Sequence, residues 1–250
     1  MKTLSILSFL AVITLSACSQ INLGDLQKAS EQAEEVIFGS GSTSPALSND
    51  EVVNGLREAL KVGIEKSVDL TSKTDGFNTN QLIRIPFPDE ADKVKSVAID
   101  LGLNTQVAKF EETLNRAAEK AVAEAIPVFV EAITNMSIQD GFAILKGSNT
   151  AATKYLQDAT TAALVNKFRP IVDKAVQDVE LTKYWTPLVN AYNTSTLLTG
   201  GGSVDPDLTQ YVTEMAISGL FVYVEKEEQN IRANPAARIT EILQKVFGSL

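Results

Sequence analysis

Six polar residues have the types and spacing that could do chemistry: Asn115, Arg116, Glu119, Asp140, Glu228 and Arg232. Arg116 lies four residues after Glu112 and three before Glu119, and Arg232 lies four after Glu228. On helices, each guanidinium therefore reaches a carboxylate of its own helix. Convergence of all six would set guanidinium forks against carboxylates across helices, an arrangement suited to clasping a fold, holding a ligand or positioning acids for hydrolysis. Paired acids could cleave a glycan, with one acid and one base or nucleophile flanking the bond. No pair here carries a recognisable hydrolase signature, so a structural or binding cluster is favoured over a catalytic one.

What the chain lacks narrows the chemistry further. It has no histidine, and its one cysteine is Cys18. Ser-His-Asp and Cys-His nucleophiles, the usual Cys/His zinc sites and intrachain disulfides are thereby excluded. Asp75-Gly76-Phe77-Asn78 lacks the remaining ligands of a calcium loop, and Gly200-Gly201-Gly202 lacks the Lys-Ser/Thr of a phosphate cradle. No metal and no cofactor is expected. A net charge of −9 argues against nucleic acid as a partner, since neutralising phosphates needs clustered Lys and Arg.

The amino terminus gives the compartment. Lys2 supplies a positive start, Leu4 to Leu15 an apolar core, and Leu15-Ser16-Ala17-Cys18 looks like a bacterial lipobox. The expected organisation is a signal peptide over 1–17, a lipidated tether with a short helix and a Gly/Ser linker over 18–47, and a helical domain over 48–250. An ordinary signal peptide beside an incidental cysteine is the simpler alternative; the small residues before Cys18 favour lipidation. Acyl chains on Cys18 would make the membrane the first partner, because each buried methylene adds about 0.8 kcal/mol. Ser19, in place of Asp, points to the outer membrane, with the domain facing the periplasm.

The elements that must position the polar residues read as mainly α: a single compact multi-helix domain with one short extended segment near residues 82–88. Helix formers dominate, aromatics are 6% and hydrophobic residues 44% of 250, enough for a core. Ser48-Asn49-Asp50-Glu51 is a capping box opening a helix whose Val53, Leu56, Leu60 and Ile64 share one face. Pro86 and Pro88 enforce extension, as a strap across helices in preference to a peptide-binding edge. Residues 89–101 form a short helix closed by Gly102. From Phe110, the positions Leu114, Ala117, Ala121 and Ala125 form a narrow small-residue stripe. A second stripe passes from Glu112, Asn115 and Glu119 to Ile126, Val130 and Ile133, and Pro127 must kink or restart the helix between.

Further along, Ser137 and Asp140 form another capping box, with Phe142 and Leu145 turned inward before Gly147. Asn149 or Thr150 caps a helix carrying Ala152, Tyr155, Leu156, Ala159, Ala163 and Leu164. Pro170 opens a further helix with Ile171, Ala175, Val176 and Val179, and Trp185 anchors the core. Asp205-Pro206 starts a helix running to about Ala233, and Ile239, Ile242, Leu243 and Val246 supply a last apolar face.

Taken in order, Ile83-Arg84-Ile85-Pro86, Asn115-Arg116-Ala117-Ala118-Glu119, Met136 with Asp140 and Ile144-Leu145, Ala151-Ala152-Thr153-Lys154-Tyr155, Gly219-Leu220-Phe221, Ile231-Arg232 with Asn234-Pro235, and Val246-Phe247-Gly248 resemble the bacterial envelope proteins grouped as domain of unknown function family 4197. The resemblance covers about residues 46 to 250 and implies no established activity, cofactor or substrate. The expectation is a membrane-anchored envelope lipoprotein with a noncatalytic binding or scaffolding domain and an envelope protein as partner. A carrier of an apolar ligand or lipid between helices is the alternative, and a carboxylate-dependent hydrolase comes behind both.

Overall fold

The first helix starts at its cap. In the computed structural model, which describes residues 48–177, 207–234 and single positions in 185–205 together with Gln244, the first helix α1 spans Asn49–Ser72. The Ser48 hydroxyl accepts the Glu51 amide at 3.3 Å while the Glu51 carboxylate accepts the Ser48 amide at 2.8 Å. Two orphan donors are satisfied at once. Val53, Leu56, Leu60 and Ile64 are buried along one face, as the spacing requires.

After a turn at Asp75-Gly76 the chain runs extended, with Ile83, Ile85 and Phe87 buried and Arg84 and Pro86 exposed between them. This is a strand's alternation, with no strand beside it among the described residues. A 3₁₀ turn at Asp89–Ala91 leads into α2 (Asp92–Asp100). Gly102, at φ 82°, closes α2: its amide reaches Ile99 O at 2.8 Å and the Leu103 amide reaches Ala98 O at 3.0 Å. Only glycine takes that φ freely, which explains the stop.

Helix α3 (Asn104–Val122) buries Phe110, Leu114, Ala117 and Ala121 completely, and Ala125 just beyond it. Pro127 restarts the chain instead of kinking it: α4 is a separate helix, Ile126–Asn135, with the proline in its first turn, where its missing amide has no intrahelical partner to lose. On the second stripe Asn115, Glu119 and Ile133 are buried, Ile126 and Val130 half-buried, and Glu112 is largely exposed. Helix α5 (Ile138–Lys146) begins at the Ser137–Asp140 capping box; Ile144 and Leu145 turn inward and Phe142 is half-buried.

Two expectations fail in the next helix. Helix α6 is one element, Ala151–Gln177, and Pro170 sits inside it instead of opening a new one. Leu156, Thr160, Leu164, Phe168, Val172 and Val176 are buried at a spacing of four that passes straight through the proline. Burial on both sides thus outweighs the lost amide bond and ring clash, of about 3 kcal/mol. The same stripe leaves Ala159 and Ala163 exposed, and Thr160 goes inside because its hydroxyl donates to Leu156 O at 2.6 Å. Helix α7 (Leu208–Ala233) starts later than Asp205-Pro206 implied, because Asp207 is the cap that accepts the Thr209 amide, at 3.0 Å.

Helix α7 packs on α6, α1 and α3, and α3 also packs on α6, so the core lies among these four. Trp185 is buried there, edge-on to Phe87 at 5.3 Å and stacked with Phe110 at 6.0 Å. The extended segment is thereby pinned to α3 through its own aromatic ring. The expected signal and tether over 1–47, the glycine loop at 200–202, Val179 and the apolar face from Ile239 to Val246 lie outside the described residues.

Candidate functional site

The six polar residues divide into two networks and one separate cap. The first network is on α3. Asn115, fully buried, donates to Ile85 O at 2.9 Å and accepts the Ile85 amide at 2.8 Å. A single side chain thus supplies the pair of bonds that a neighbouring strand would give. One turn on, Glu119 Oε1 accepts the amides of Phe77 and Asn78 at 3.1 and 3.3 Å. Arg116 donates to Glu119 Oε2 and to Asp75 Oδ1, each at 2.9 Å, with Glu112 farther at 3.4 Å.

Those bonds fix the turn that feeds the extended segment. Asp75 holds a positive φ of 67°, and at Gly76 a Cβ would stand 2.4 Å from Thr71 O, so no other residue fits. Hydrogen bonds with Asn78 and Arg116 keep the Asp75 carboxyl below its usual range. The bond with Glu119 holds the Arg116 guanidinium firmly protonated.

The second network joins α7 to α6 and α5. Glu228, 9% exposed, accepts the Ala152 amide at 3.0 Å and the Thr153 amide at 2.8 Å, and Thr153 Oγ1 donates to it at 2.8 Å. It therefore caps α6 from another helix, where Asn149 or Thr150 was expected to cap locally. A carboxylate suits that place, because the exposed amides and the dipole of a helix start favour negative charge. Arg232 pairs with Glu228 at 2.9 Å and donates to Ile144 O, the last turn of α5, also at 2.9 Å. One ion pair thus holds both ends of the α5–α6 connection.

Asp140 belongs to neither. Its carboxylate accepts the Ser137 amide at 3.0 Å and the Ser137 hydroxyl at 2.7 Å, which holds its pKa below the ordinary value. Of the six, then, Asn115, Arg116 and Glu119 come together, Glu228 and Arg232 come together elsewhere, and Asp140 caps α5. The sequence reading missed Asp75 and Thr153 as partners. Thr153 stands two residues inside a helix start, a place where a carboxylate from elsewhere is welcome, but nothing local names which one.

Chemically, the arrangement holds backbone. Glu119 and Glu228 are each occupied by two consecutive amides and an arginine, and Asn115 by both polar groups of Ile85. Among the described residues there is no group of three or more side chains of metal-ligating type. A separate feature is a narrow apolar crevice between α1, α6 and α7, with about 30 Å³ of free space, room for a water-sized occupant. Leu60, Ile64, Leu156 and Val224 form its walls, and Glu228 and Arg232 line part of it.

The family model described as "Protein of unknown function (DUF4197)" matches residues 46–248. The chain belongs to this family. The match takes in all the elements described above, so both networks lie within the family domain. Neither the comparison with curated proteins nor that with solved structures returned a match.

Proposed function

We propose that this protein is an envelope lipoprotein, anchored to the outer membrane through Cys18 and facing the periplasm, whose helical domain binds or scaffolds another envelope component without catalysis. The observation that carries the noncatalytic part is the engagement of both oxygens of Glu119 and of Glu228 with the chain's own amides and arginines. A general acid or nucleophile must meet substrate with at least one oxygen available, and these carboxylates are already bonded to the protein. The Leu15-Ser16-Ala17-Cys18 stretch supports the anchor. Among the described residues no helix is long and apolar enough to cross a membrane.

Metabolic labelling with a palmitate analogue tests the anchor: label should enter the wild-type chain and be lost, with release from the membrane fraction, in Cys18→Ser. For the partner, crosslinking in intact envelopes followed by capture of the chain should enrich one envelope component reproducibly. Labelling that persists in Cys18→Ser, or capture that enriches nothing, counts against the respective half of the reading.

A further inference from the structure

We draw no further inference here: the strongest candidate, the exposed apolar patch that Val97 and Leu101 form one turn apart at the carboxy-terminal end of α2, carries nothing because nothing in the structure shows what covers it.

Discussion

Glu228 Oε2 accepts both the amide and the hydroxyl of Thr153, each at 2.8 Å, across a separation of 75 residues. The bond makes the start of α6 depend on α7, and Arg232 extends the dependence to α5 through Ile144 O. Helix order in space is thus set by a carboxylate and not by apolar burial alone.

Glu228→Ala leaves two buried amides and the largely buried Arg232 without that carboxylate. The expected loss of stability is about 3–5 kcal/mol, read from equilibrium denaturant unfolding, with Glu228→Gln falling between variant and wild type because one carbonyl oxygen remains.

Asn115→Ala removes both partners of Ile85 from a fully buried place. A cost of roughly 2–6 kcal/mol is expected from two unsatisfied backbone groups at about 1–3 kcal/mol each. Limited proteolysis should then cut first in the extended segment, since Asn115 is its substitute for a neighbouring strand.

Two glycines should respond in opposite directions. At Gly219 a Cβ would stand 2.6 Å from Cε1 of Phe77, whose ring is completely buried, so Gly219→Ala should destabilise by about 1–3 kcal/mol. Gly63→Ala, with ordinary contacts, should raise the melting temperature. Differential scanning calorimetry of the two variants distinguishes them directly.

Acid should weaken the fold through Glu111. Partial burial raises its pKa, but Lys95 at 2.6 Å and Arg84 at 2.8 Å more than offset that, and the folded value lies below the ordinary one. Such a group binds fewer protons folded than unfolded, so its contribution is full above the unfolded pKa, about 4.3, and fades as pH falls through the lowered folded value. Melting temperature should fall between about pH 5 and 3, and less steeply in Glu111→Gln.

Much of this was legible before the fold, and the particular residues show why. Ser48 with Glu51 and Ser137 with Asp140 are local signals, complete within four residues, and both caps formed. The stripe from Phe110 to Ala121 needed only helical periodicity. Pro170 misled because a proline's local preference was read without the burial of Phe168 and Val172 on either side. The cap on α6 could not be found locally, since its carboxylate arrives from α7. Arg116 and Arg232 looked like parts of one cluster because like residue types carry no information on where two helices place them.

The central claim is that the polar residues on α3 and α7 hold the fold together. Thermal unfolding of Arg116→Ala tests it most directly. The substitution removes the arginine partner of Glu119, a side chain 5% exposed, and releases Asp75 at the turn. The expected result is a cooperative melt at a clearly lower temperature, corresponding to roughly 1–3 kcal/mol. A variant that melts like wild type yet loses a partner or ligand would contradict the account and make the cluster a binding site.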